Sequence, residues 1–131
     1  MQKIPLLIVT SRSEDVLELQ GILSEVPWEL TCPDDPSAAL KSAPIPILLL
    51  DRDTTENWQD TIKQMTKLRR GACLILVSNV SDQYLWDEVI QHGGFDCLAR
   101  PFRREQVLST LMFAYAQCRT PWPRVWPKAA S

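Results

Sequence analysis

From Ile4 to Val9 the chain is almost unbroken apolar sequence (Ile-Pro-Leu-Leu-Ile-Val), the pattern of a parallel strand buried on both faces. A longer period follows. Val16, Leu19, Ile22, Leu23 and Val26 recur every three or four residues and predict a helix over residues 13–25. Ser13 stands ready to cap it, with Glu14 and Asp15 in the first turn, where carboxylates favour the helix dipole. Trp28 to Cys32 alternates as a second strand, and Asp35-Pro36 pairs a cap with a first-turn proline to open a short helix through Leu40. Pro44 to Asp51 is the most apolar run of all, and it stops abruptly at a carboxylate.

The second half repeats the alternation. Trp58, Ile62, Met65 and Leu68 mark a helix whose end carries Lys67, Arg69 and Arg70 and then Gly71, basic residues and a glycine being regular C-terminal signals. Cys73 to Val77 is a fourth strand, ending at Ser78. Ser81 is placed to cap a fourth helix with Leu85, Trp86, Val89 and Ile90, closed by Gly93-Gly94. Phe95 to Ala99 reads as a fifth strand, interrupted by Arg100-Pro101. Val107, Leu108, Leu111, Met112 and Tyr115 form the apolar face of a last helix. Strands and helices in strict alternation predict an α/β fold, a doubly wound five-stranded parallel sheet with helices on both faces. Residues 1–118 form this domain. Residues 119–131 hold Pro121, Pro123 and Pro127 among Trp122 and Trp126, and proline cannot continue a helix, so an extended C-terminal tail is expected there. Two tryptophans in a short tail suggest a contact with a partner or with a second copy of the chain.

In such sheets the functional site lies outside the carboxyl ends of the strands. The residues in question are therefore Thr10 and Ser11, Asp51, Ser78 and Arg100. Composition narrows what they can do. A formal net charge of −2 lacks the basic excess with which nucleic-acid binders neutralise phosphates, and the clusters Lys67, Arg69, Arg70 and Arg100, Arg103, Arg104 are short. The four cysteines have no C-x-x-C spacing, and the lone His92 completes no zinc set. They are expected to be reduced thiols acting as small hydrophobes. The apolar stretch from Leu6 to Val9 is too short for a signal segment or a membrane span, so neither a membrane nor nucleic acid is expected as partner, and the cytoplasm is the expected location. His92 sits at a helix end, away from the strand ends, so no nucleophile–histidine arrangement suggests an enzyme.

Three stretches together resemble the receiver domains of two-component signalling. Ile47-Leu-Leu-Leu-Asp51 is similar to the family's third strand with its terminal phospho-acceptor aspartate. Leu74-Ile-Leu-Val-Ser78 is similar to the fourth strand with its terminal hydroxyl residue, and Gly94-Phe-Asp-Cys-Leu-Ala-Arg-Pro-Phe102 to the segment that closes the fold. The resemblance implies a flavodoxin-like strand order of 2-1-3-4-5, Asp51 as phospho-acceptor, Ser78 and Arg100 lining the phosphate site with Thr10 and Ser11, and a cis bond before Pro101. It also implies a magnesium ion held by Asp51 and the backbone of Asp53. Here the sequence departs from the family. The acidic pair that ends the first strand is absent, Thr10-Ser11 standing there; the family's lysine is Arg100; and its aromatic switch residue is Cys97. Magnesium needs hard oxygen donors, so weak or no binding is expected, with Arg100 and Asp51 forming an ion pair in its place.

The reading is a pseudo-receiver working by protein–protein interaction, with a histidine kinase or a downstream signalling protein as partner. The resemblance places that contact on the fourth helix, fifth strand and fifth helix. Two alternatives remain open. A working phospho-accepting response regulator would use Arg100 in the lysine's role. A flavin or nucleotide binder would use the hydroxyl-rich loop Thr10, Ser11, Ser13 at a helix N-terminus.

Overall fold

The structure, a computed structural model, describes residues 3–42, 45–68 and 71–118. Five strands, β1 (Ile4–Val9), β2 (Trp28–Thr31), β3 (Ile47–Asp51), β4 (Cys73–Ser78) and β5 (Asp96–Ala99), alternate with five helices. These are α1 (Ser13–Ile22), α2 (Pro36–Ser42), α3 (Trp58–Leu68), α4 (Gln83–Gln91) and α5 (Arg104–Gln117). The strands form one sheet in the order β2-β1-β3-β4-β5, every neighbouring pair parallel. The expected doubly wound architecture and strand order are both present.

Side-chain alternation along the strands builds two cores. Leu6 and Ile8 of β1 face one way, with Leu19 of α1 and Val107, Leu111, Ala114 and Tyr115 of α5. Leu7 faces the other, with Leu40 of α2, Trp58, Ile62 and Met65 of α3, and Leu85 and Val89 of α4. Helices therefore cover both faces. That is why β3 and β4, buried at every position, read as continuous apolar runs rather than alternating ones. The edge strand Trp28–Thr31 keeps alternation because only part of it is covered. Trp28 meets Tyr115 edge-to-face, with centroids 5.6 Å apart.

Several boundaries differ from the sequence expectation, each for a local reason. The first helix stops at Ile22 rather than residue 25. Pro27 disfavours helical geometry at the residue before it, and the chain must turn into β2, where the Pro27 carbonyl accepts from the Ile4 amide at 2.7 Å. Ser13 lies inside the helix, with Arg12 at the N-cap and no side-chain cap bond. Ser81 is not the cap of α4 either. Asp82 occupies that place, its Oδ1 accepting from the Leu85 amide at 2.8 Å, while the Ser81 hydroxyl lies 3.6 Å from Cys97 Sγ. On α5 the buried row is Val107, Leu111, Ala114 and Tyr115. Met112, one position from Leu111 and so about 100° around the helix, is 41% exposed.

Gly93 has φ +99° and closes α4. At Gly94 a Cβ would stand 2.5 Å from Val89 Cγ1, so the chain can pass this close to α4 only without a side chain. Cys73, Cys97 and Cys118 are buried as expected, but Cys32 is exposed. The tail with Trp122 and Trp126, and Arg69 and Arg70, lie outside the described residues. Among the described residues, no helix is long and apolar enough to cross a membrane.

Candidate functional site

Register alone assembles the site. Val9 pairs with Leu50, so Thr10 leaves β1 beside Asp51. Asp51 pairs with Val77 and Ser78 with Ala99, so Ser78 and Arg100 emerge at the same edge. The Arg100 amide donates to the Ser78 carbonyl at 2.9 Å, carrying the β4–β5 pairing one residue further. Four strands thus deliver a hydroxyl, a carboxylate, a second hydroxyl and a guanidinium to one carboxyl edge.

The side chains meet at Asp51, which is 1% exposed. Its Oδ1 is 2.9 Å from Arg100 Nη2 and accepts from the Asp53 amide at 3.1 Å. Its Oδ2 accepts from the Thr10 hydroxyl at 2.8 Å and from the Thr54 hydroxyl at 3.1 Å. Thr54 reaches back because the chain makes a single 3₁₀ turn over Arg52–Thr54, started by the Asp51 carboxylate accepting from the Asp53 amide. Burial pushes the Asp51 carboxyl up. The hydrogen bonds from Arg100, Thr10 and the Asp53 amide, with the guanidinium's charge, outweigh that and hold it below the ordinary carboxylate value.

Arg100 has a second and stronger partner. Its Nε lies 3.0 Å from Asp15 Oδ1, and its Nη2 lies 2.6 Å from Asp15 Oδ2, the two-pronged geometry that a guanidinium offers a carboxylate. Nη1 donates to Asn79 Oδ1 at 3.2 Å. The hydrogen bonds to Asp15 first, then to Asp51, raise the guanidinium's pKa above its ordinary value against the effect of burial. Asp15 is 3% exposed. The Thr10 hydroxyl also lies 3.3 Å from Asp15 Oδ2, so one nitrogen and one hydroxyl each span both carboxylates. The cluster holds two acids and one base, and its net charge is −1 when all three are ionised.

Asp15 is the functional residue missed in the sequence. As a first-turn carboxylate it looked like dipole decoration. Its spacing told more: Asp15 precedes Leu19 by four residues and Leu23 by eight, on the stripe that α1 turns inward. An acid on a buried stripe needs a cation, and Arg100 is the one it finds. The strand end does lack its acidic pair, but the site does not lack a second carboxylate. It arrives from the helix instead.

The other expected residues are placed as follows. Ser78 is buried at the end of β4, its hydroxyl accepting from the Val80 amide at 3.2 Å, which is a turn-forming role. Ser11 is exposed and lines a cleft of about 390 Å³ with Thr10, Ser13, Val16, Leu17 and Cys32. The Asp53 side chain is exposed, and its amide donates to Asp51. The Arg100–Pro101 bond is cis. Burial pushes the Cys97 thiol up, the Ser81 hydroxyl offsetting this only in part.

The loop that carries Arg100 is itself fastened to α1. The Phe102 amide donates to Glu18 Oε2 at 3.2 Å, and Arg104 Nη1 donates to the Ile22 carbonyl at 3.1 Å. With Asp15 these make three ties, at positions 15, 18 and 22, along one face of the helix.

A contrasting surface lies on α4 and α5. Tyr84 (73% exposed), Trp86, Ile90, Met112 and Phe113 (65%) are large apolar side chains facing solvent.

No protein-family model matches the chain, and no curated protein does. Solved structures do. A response regulator from Thermotoga maritima superimposes with a TM-score of 0.77 at 15% identity, over 87% of this chain and 98% of that one. The signal receiver domain of an HD domain-containing protein from Pseudomonas fluorescens Pf-5 gives 0.74 at 20% identity, over 88% and 89%. A CheY-like response regulator receiver domain protein from Methanospirillum hungatei JF-1 gives 0.74 at 15%, over 88% and 95%. The chain has the flavodoxin-like fold of response-regulator receiver domains.

Proposed function

We propose that this receiver-fold domain is a signalling interaction module whose acceptor position is closed, so that it works in the cytoplasm by binding a protein partner rather than by carrying a phosphoryl group or turning over a substrate. One observation carries this reading. The Arg100 guanidinium bridges Asp51 and Asp15, with Nη2 at 2.9 Å and 2.6 Å from their oxygens.

The donor set does not suit magnesium. That ion asks for octahedral oxygen donors with carboxylates among them, and every carboxylate oxygen here is already committed. Both Asp15 oxygens face Arg100, Asp51 Oδ1 faces Arg100 and the Asp53 amide, and Asp51 Oδ2 takes two hydroxyls. A divalent cation would have to displace a guanidinium that is in direct contact with both acids. No step of the proposed function runs through a metal.

The partner surface fits the same reading. Tyr84 and Trp86 on α4, with Met112 and Phe113 on α5, present aromatic and thioether groups of the kind that dominate binding energy at protein interfaces. A kinase, a downstream protein or a second copy of the chain would bury them there.

Incubation with acetyl phosphate and magnesium, followed by intact mass measurement, tests the closed acceptor. The expected result is an unmodified mass. A stoichiometric phosphoryl adduct that disappears with Asp51→Asn would establish a working switch instead.

A further inference from the structure

Asp51 has an ionised, low-pKa carboxylate, and a carboxylate is a competent nucleophile toward phosphorus. Its closure is therefore not a matter of a missing nucleophile. Arginine alone does not explain it either. A guanidinium beside Asp51, free to turn, would be a good host for a phosphoryl group, because its fork matches phosphate oxygens. What distinguishes this site is that the fork is already filled.

We infer that Asp15 is the gate of the acceptor site: its buried carboxylate takes the two-pronged face of Arg100 and sets a fixed negative charge where an incoming phosphoryl group would have to stand. This rests on the closed-acceptor reading above and says which residue enforces it. Asp15 acts through Arg100 and through charge, and is a positioning residue.

Three features of the geometry support it. Arg100 spends Nε and Nη2 on Asp15 and offers Asp51 only the shared Nη2, its remaining nitrogen Nη1 being held by Asn79. The Thr10 hydroxyl contributes its single proton at 2.8 Å to Asp51 and has Asp15 Oδ2 at 3.3 Å on its other side, so it too stands between the acids. Finally, the ties of Phe102 to Glu18 and of Arg104 to Ile22 hold the Arg100 loop against α1, which keeps the guanidinium beside Asp15.

The step that Asp15 blocks can be written out. An Asp51 oxygen forms a bond to the phosphorus of acetyl phosphate, the bond from phosphorus to the acetyl oxygen breaks, and acetate leaves with the electron pair. No proton is transferred. The aspartyl phosphate gains a dianionic group that needs both prongs of Arg100, and Asp15 holds both while repelling the newcomer.

The test compares the unmodified chain with Asp15→Asn and Asp15→Ser, each incubated with acetyl phosphate with and without magnesium, and each read by intact mass. Both substitutions keep a polar group beside Arg100 while removing the charge. The expected result is a silent unmodified chain and at least about tenfold more phosphoryl adduct in the two variants, the scale of one fixed charge a few ångströms from the reaction after screening. The adduct should vanish when Asp51→Asn is added, and Asp15→Glu, which restores the charge, should restore silence. A silent parent with equally silent folded variants would overturn the gate and leave the closed acceptor standing. Stoichiometric adduct on the parent would overturn both. Should the neutral variants fail to fold, the parent decides by NMR. The gate predicts an Arg100 Nε–H resonance that is unmoved by beryllofluoride, a phosphoryl mimic, and a saturable shift there would contradict it.

Discussion

Two regions of this domain treat their difficult side chains in opposite ways. At the carboxyl edge of the sheet, Asp15 and Asp51 are buried charges, and each has its partner, the partly buried Arg100, inside the chain. On α4 and α5, Tyr84, Trp86, Met112 and Phe113 are apolar groups exposed to water. In a receiver fold the first region is where chemistry is expected and the second is where partners are expected. The difference teaches that the buried acids at the sheet edge are satisfied internally while the apolar groups of the helices are left without cover. Buried ion pairs seldom add net stability over an apolar replacement, yet removing one member is costly, so the pairing of Arg100 with Asp15 and Asp51 also holds the loop that leads into α5.

The largest expected effect follows from that asymmetry. Arg100→Ala leaves two buried carboxylates without a cation and should lower stability by about 3–5 kcal/mol, read as a shifted midpoint in urea denaturation. A change under about 1 kcal/mol would show that water reaches the pair and that the site is open. Asp51→Asn should cost less, about 1–2 kcal/mol, because Arg100 keeps Asp15. Its signature is in pH. The folded-state pKa of Asp51 lies below the ordinary 3.8, so ionised Asp51 contributes stability that is present above pH 3.8 and lost as pH falls below that value through the depressed one. The parent should therefore lose its advantage over Asp51→Asn below pH 3.8. An advantage that persists or grows in acid would contradict the assignment.

The smallest stability effects belong to the exposed groups of α4 and α5. Tyr84→Ala and Phe113→Ser should each stay within about 0.5 kcal/mol of the parent, while partner affinity or self-association measured by sedimentation falls by about tenfold or more. Equal loss of stability in both regions would erase the contrast between them.

How much of this was legible without coordinates differs by region for physical reasons. The strands and their sequence were readable because burial on both faces leaves an unmistakable apolar run, as in Ile47 to Leu50, and because a run that ends at a carboxylate marks the edge where loops gather. Asp51, Thr10, Ser78 and Arg100 came from that one rule. Asp15 did not, because its local position explained it too well: a first-turn acid has an obvious reason to exist, and only its place on the Leu19–Leu23 stripe betrays a second one. Residue type alone offers Ser13 and Ser81 as caps, but capping depends on backbone phase, and Asp82 is the residue whose carboxylate meets a free amide. Met112 likewise lies one residue off the buried row of α5.

A crystal grown in millimolar magnesium measures the central claim most directly. The account predicts Arg100 Nη2 in contact with both Asp15 and Asp51 and no ion between them. A six-coordinate magnesium bridging the two carboxylates, with the guanidinium turned out to solvent, would contradict it.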